Sequence, residues 1–141
     1  MKHDYPDSLI KRVLSETNTI AMIGASPTPT RSSHGVMKYL QDSGYRVIPV
    51  NPFSSDTKIL GEFVYASLAD IPEKFEMVDV FRRSDAIASI TEEALSVSKE
   101  KGIRSIWMQL GVIDETSANK ANSAGLTVIM DRCLKIEYAK F

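Results

Sequence analysis

Two hydrophobic rhythms alternate along this chain. Compact apolar runs occur at residues 20–23 (IAMI), 45–50 (YRVIPV), 77–81 (MVDVF), 103–108 and 126–130. Between them lie segments in which apolar residues return every three or four positions: Leu9, Ile10, Val13 and Leu14; Val36, Met37, Tyr39 and Leu40; Ile87, Ile90, Ala94 and Val97; and Ala118, Ala121 and Ala124. The runs predict strands and the periodic segments predict helices. Asp7 or Ser8 is placed to cap the first helix, Ser84 or Asp85 the third, and Asp114 the fourth. Gly44, Gly102 and Gly125 each stand where a left-handed residue ends a helix just before an apolar run. Residues 53–76 are the least regular, with a short strand expected at 62–65 and a short turn or helix at 67–71.

Repeated αβ units with near-continuous apolar strands predict a parallel sheet covered on both faces. The expectation is one Rossmann-like α/β domain over residues 1–141, doubly wound, with five or six mainly parallel strands and the first strand central. In such a sheet ligands bind beyond the carboxyl ends of the strands. That rule selects residues 24–34, Asn51-Pro52, Phe81-Arg82-Arg83, Gln109-Leu110-Gly111 and Asp131-Arg132-Cys133.

Residues 20–35 organise the rest: a strand, a small-residue turn at Gly24, Ala25 and Ser26, a polar loop with Arg31, Ser32 and Ser33, and a helix start. This is a way to receive a phosphate on backbone N–H groups and a helix dipole. The next glycine is Gly35, so the spacing departs from GxGxxG. Where a NAD site usually places an acid for the ribose, the second strand ends on Asn51, followed by Pro52. A neutral, proline-stiffened edge suits a purine or a ribose phosphate better than NAD. Arg82 and Arg83 are either solvated surface charges or a clamp for a phosphate monoester, with Phe81 beside them to cover a base.

At 141 residues with 43% hydrophobic and 25% charged composition, the chain is long enough for one globular core. A net charge of −1 gives no general attraction to nucleic acid or membrane surfaces. Cys133 has no second cysteine to pair with, no run approaches a membrane span, and the N-terminus lacks the apolar core of a signal peptide. The expected setting is the cytoplasm. No paired-cysteine metal spacing, HExxH or GxSxG occurs, so neither a metal site nor a catalytic residue is assigned. His34 at the second helix start reads equally as a phosphate contact or a surface residue, and His3 lies in a tail. Cys133 reads as an ordinary packed residue or, with Arg132 beside it, as a thiolate candidate. Trp107 and Met108 read as core.

Six ordered blocks carry a family resemblance: IAMIGASP (20–27), GYRVIPVNP (44–52), ILGEFVYASLADIP (59–72), VDVFRRSD (78–85), IWMQLGV (106–112) and VIMDRCLKIE (128–137). Through them the chain resembles the small stand-alone CoA-binding proteins, whose domain is similar to the CoA-binding domain of the succinyl-CoA synthetase alpha subunit. The resemblance implies coenzyme A or an acyl-CoA as ligand. Gly24, Ala25, Ser26, Arg31, Ser32 and Ser33 would receive phosphates, Asn51 and Pro52 would border the nucleotide, and Phe81, Arg82 and Arg83 would lie along the same ligand. Gln109, Leu110 and Gly111 would line the pantetheine side, and physical reasoning gives the 3′-phosphate to Arg83. The synthetase's active histidine belongs to a second domain that this chain lacks, so the resemblance implies no ligase activity. Tyr138 stands where many relatives carry His. The competing expectations are a small NAD(P)-dependent oxidoreductase and a CoA-transferring subunit completed by a partner chain.

Overall fold

A computed structural model describes residues 4–141; His3 lies outside them. The order of elements is α1 (Asp7–Ser15), β1 (Thr19–Ile23), α2 (Ser32–Asp42), β2 (Arg46–Val50), β3 (Lys58–Ile59), β4 (Glu62–Phe63), β5 (Met77–Val80), α3 (Ile87–Lys101), β6 (Ser105–Met108), α4 (Glu115–Ser123), β7 (Thr127–Ile129) and α5 (Leu134–Ala139). Single 3-10 turns occupy Leu68–Asp70 and Ser84–Ala86. Five parallel strands form the main sheet in the order β2-β1-β5-β6-β7, and β3 and β4 make a separate two-stranded antiparallel ribbon. This is the expected doubly wound Rossmann-like sheet with five strands. The middle strand, however, is β5; β1 sits beside it. Strand order reverses between β1 and β5, so a crevice opens at their carboxyl ends.

Strand side chains alternate between two separate cores, as period-two geometry requires. Ile20, Met22, Met77, Trp107 and Ile129 pack under α1, α2 and α5, supplied by Ile10, Val13, Met37, Leu40 and Leu134. Ala21, Ile23, Val78, Val80, Ile106 and Val128 pack under α3 and α4, supplied by Ile87, Ala94, Ala118 and Ala121. Each fully buried aliphatic side chain contributes roughly 1.5–3 kcal/mol relative to exposure, which explains why the apolar runs override weak local preferences. Trp107 and Met108 are core, as expected.

The three junction glycines all adopt positive φ, at 103° for Gly44, 76° for Gly102 and 95° for Gly125. The caps differ from expectation. Pro6 precedes α1 with no side-chain cap, and Ser84 leaves α3 uncapped because its hydroxyl is drawn to another loop. Asp114 does cap α4, accepting from the Ser117 N–H at 3.2 Å. Ala124 lies past the end of α4 and is exposed rather than set against the sheet. The short α5 has no counterpart in the sequence expectation; only Leu134 and Glu137 are buried along it, too few to show a period.

Candidate functional site

Gly24 is where the crevice begins. Its φ is +86°, and a Cβ there would come within 2.4 Å of the Phe81 carbonyl oxygen. The Gly24 N–H donates to the Val50 carbonyl at 2.9 Å, and the Phe81 N–H to the Ile23 carbonyl at 2.8 Å. The ends of β2, β1 and β5 are thereby drawn together around a residue with no side chain. Beyond it, the Ser26 N–H donates to Ser33 Oγ at 3.1 Å, tying the loop to the first turn of α2. Ser33 is buried, whereas Arg31 and Ser32 are exposed at the helix start. The opening N–H groups of a helix lack intrahelical acceptors, so this end of α2 favours an anion. Gly35 has only open space around it and takes no part in the turn.

Two cavities meet at this edge. A polar one of about 370 Å³ is lined by Gly24, Ser26, Thr28, Arg31, Ser32, Ser33, Asn51 and Phe81. A mainly apolar one of about 460 Å³ is lined by Ser32, Val36, Phe81, Arg82, Arg83, Gln109, Leu110, Gly111, Val112 and Cys133. They share Ser32 and Phe81, so they form one groove with two arms. Among the described residues that line it there are three guanidinium groups and no carboxylate.

The structure brings twelve of the fourteen sequence-selected residues to this groove, leaving out Ala25 and Pro52. Ala25 is buried in the core, where only its carbonyl serves the site: it accepts from Asn51 Nδ2 at 2.8 Å. Pro52 is exposed beside the polar arm without lining it. Asn51 Oδ1 accepts from the Phe53 N–H at 2.9 Å, so one polar end of Asn51 latches the end of β2 to the β1 loop and the other closes its own turn. Arg83 is 89% exposed along its side chain and faces the exposed Asp85 at 3.7 Å, a weak, solvent-screened pair.

The wall of the apolar arm is held from outside. The Gly111 N–H donates to Asp131 Oδ1 at 2.7 Å, the Ile113 N–H to Ser84 Oγ at 3.0 Å, and the Val112 N–H to the Gln109 carbonyl at 2.9 Å. Asp131 adopts φ +59°, a left-handed conformation that Asp tolerates better than most residues. The Arg132 guanidinium lies 5.4 Å from the Tyr5 ring and 3.9 Å from Asp4. Tyr138 lies away from the groove, at the amino end of the sheet, in edge-to-face contact with Tyr39 and Tyr45.

Thr28 falls in the selected stretch 24–34, but sequence reasoning missed Val36 and Val112 as lining residues, and above all Asp79. This acid sits in β5 with no exposure, and Oδ1 accepts from Gln109 Nε2 at 2.6 Å. Burial pushes its carboxyl up to about 7, against a smaller opposing effect of the Gln109 hydrogen bond. The signal was present as a lone acid within an apolar strand run. No group of three or more metal-ligating side chains occurs among the described residues, and none of their helices is long and apolar enough to cross a membrane.

Comparison with known proteins gives the family and the fold. The uncharacterized protein YneT of Bacillus subtilis is 38% identical over 130 residues, 92% of each chain. A hypothetical protein from Pyrococcus horikoshii OT3 superposes with a TM-score of 0.88 at 36% identity, covering 98% of this chain and 93% of that one. The alpha subunit of an ADP-forming acetate–CoA ligase from Pyrococcus furiosus is 28% identical over 95 residues, and the match spans 20% of that longer protein. The sequence profile described as CoA binding domain matches residues 18–139, from the threshold of β1 to the end of α5, and the chain belongs to that family.

Proposed function

We propose that this chain binds coenzyme A or an acyl-CoA in the two-armed groove, acting as a binding module in a reducing, cytoplasmic setting. The nucleotide and its phosphates occupy the polar arm, against the α2 start and Arg31. The pantetheine chain follows the apolar arm past Gln109, Leu110 and Gly111, and Arg83, on the exposed rim of that same arm, reaches back for the 3′-phosphate. The observation that carries this reading is the junction itself: a polar cavity and an apolar cavity share Ser32 and Phe81, with Arg31, Arg82 and Arg83 along them and no lining carboxylate. A ligand that is anionic at one end and a flexible apolar chain at the other matches that division. An adenine dinucleotide does not, because the end of β2 offers Asn51, already latched to Ala25, in place of an acid.

Calorimetric titration with CoA, dephospho-CoA and NAD tests the reading. CoA is expected to bind tightest, dephospho-CoA more weakly and NAD least. NAD binding as tight as CoA, or no CoA binding at millimolar concentration, refutes it. A second reading, a CoA-transferring subunit completed by another chain, draws on the likeness to the acetate–CoA ligase alpha subunit. Co-purification with a partner chain and acyl-CoA turnover by the pair would establish it.

A further inference from the structure

The wall of the apolar arm rests on a buried acid that the binding scheme above leaves without a role. Asp79 lies in register between Met22 of β1 and Trp107 of β6, fully excluded from solvent. Its Oδ1 accepts from Gln109 Nε2 at 2.6 Å, while Oδ2 has no hydrogen-bond partner among the described residues. Gln109 is itself part of the groove lining. One side chain thus links an incompletely satisfied carboxyl in the core to the surface that a ligand would touch.

A primary amide presents a carbonyl oxygen on one side and an NH₂ on the other, and a half-turn about its last bond exchanges them. Ionised, Asp79 only accepts. It then requires Nε2, and Gln109 Oε1 is left on the groove side. Protonated, Asp79 gains an O–H. With the amide unturned that hydrogen would sit on Oδ2, which has no partner. Turning the amide lets Oε1 accept the hydrogen and directs NH₂ to the groove. The consequence is large locally, because the N–H groups of Gly111, Val112 and Ile113 are already committed inside the protein.

We propose that Asp79 and Gln109 form a proton-set switch of hydrogen-bond polarity in the wall of the apolar arm. It offers the ligand an acceptor when Asp79 is ionised and a donor when Asp79 is protonated, so that an acyl thioester carbonyl gains over the free thiol as pH falls. The ligand half of this proposal rests on the pantetheine end of the coenzyme occupying that arm. Asp79 is a positioning residue here; only Gln109 meets the ligand.

Other charged and titratable groups belong to the elements packed on this face. The neighbouring strands bring Met22 and Trp107. From the helices come Lys11 and Arg12 of α1, His34 and Lys38 of α2, and Lys135 and Glu137 of α5 with Cys133 at its start, while Arg82 and Arg83 stand at the rim. Glu137 is held by Lys140 at 3.0 Å and Lys38 by Asp42 at 3.3 Å. Imidazoles and thiols are the side-chain types whose charge changes nearest neutrality.

The test therefore uses the full chain in a His34→Gln, Cys133→Ser background. Side-chain amide NMR of the unliganded protein is followed from about pH 5.5 to about pH 8.5, spanning the ordinary range of such a carboxyl shifted by burial. The Gln109 NH₂ resonances are expected to titrate, and to stop doing so in Asp79→Asn; Gln109 resonances indifferent to pH overturn the switch whatever the ligand is. Affinities for acetyl-CoA and CoA are then compared at both ends of the range, as a ratio in which the titration of the nucleotide phosphates cancels. The preference for acetyl-CoA should be about threefold greater at the acidic end, the worth of one neutral hydrogen bond, and constant in Asp79→Asn. If that variant does not fold, Gln109→Leu removes the amide and must flatten the ratio instead. A constant ratio in the parent while Gln109 titrates overturns the thioester preference. Failure of both ligands to bind refutes the coenzyme reading and the preference with it, and is told apart because the NMR titration needs no ligand.

Discussion

Replacing Asp79 by Asn should make the protein more stable relative to the parent as pH rises, and the size follows from the fold. The carboxyl is fully buried on one face of β5, and burial raises its pKa to about 7 in the folded chain from the ordinary value of 3.8. A folded-state pKa raised above the unfolded value means that the native protein holds the proton longer. Stability from this group is therefore complete below about pH 4 and is lost as pH climbs through the folded pKa. About three pKa units at 1.36 kcal/mol each give a total loss of about 4 kcal/mol, of which about 3 kcal/mol falls between pH 5 and pH 9. Asn keeps the oxygen that accepts from Gln109 but cannot ionise. Its Nδ2 replaces the unpartnered Oδ2, at a cost of about 1–3 kcal/mol that does not vary with pH. The variant should thus be somewhat less stable than the parent at pH 5 and gain about 3 kcal/mol on it by pH 9. Urea unfolding of both proteins across that range measures the difference directly. A parent-minus-variant difference that stays constant with pH would show that Asp79 ionises in the native protein as easily as in the unfolded chain.

Three further outcomes are expected. Gly24→Ala places a Cβ 2.4 Å from the Phe81 carbonyl at a φ of +86°, so it should cost roughly 2–4 kcal/mol of stability and loosen the β1–β5 edge; an unaltered urea midpoint would contradict the close approach. Arg83→Ala should weaken CoA more than dephospho-CoA in calorimetry, and equal losses would move the 3′-phosphate contact elsewhere. Because Cys133 lines the apolar arm, its thiolate should attack CoA disulfide, forming one protein–CoA mixed disulfide and releasing one CoA thiolate. Intact mass should rise by one CoA in the parent and not in Cys133→Ser, while an adduct that survives the substitution refutes the assignment.

Where sequence and structure agree, the information was local. Apolar runs of four or five residues ending at glycine or proline are short for a helix and fit strands buried on both faces, and the spacing of Val36, Met37 and Leu40 fits one helix face. Glycines at the ends of helices marked the αβ junctions because the left-handed conformation selects them by sterics alone. The carboxyl-end rule then selected Gly24, Arg31, Ser32, Arg82, Arg83 and Gln109 before any contact was known, since topology dictates which loops converge.

What the sequence could not reveal is how groups distant in the chain divide their hydrogen bonds. Ser84 read as a helix cap because a hydroxyl near a helix start usually is one; in the fold the Ile113 N–H, from another loop, claims its oxygen. Asn51 reads as a nucleotide edge and does line the polar arm; that it also latches onto the Ala25 carbonyl, twenty-six positions away, is visible only in the fold. Asp79 reads as one more position of an apolar run; packing sets it opposite Gln109, thirty positions away, and excludes it from solvent. Sequence by itself determined the doubly wound architecture and the edge where a ligand belongs, because both follow from periodicity and steric rules that act over a few residues. Only the tertiary structure decided that the edge is one groove with a polar and an apolar arm, and that a buried acid stands behind its wall, because desolvation and hydrogen-bond partnership are properties of neighbours in space.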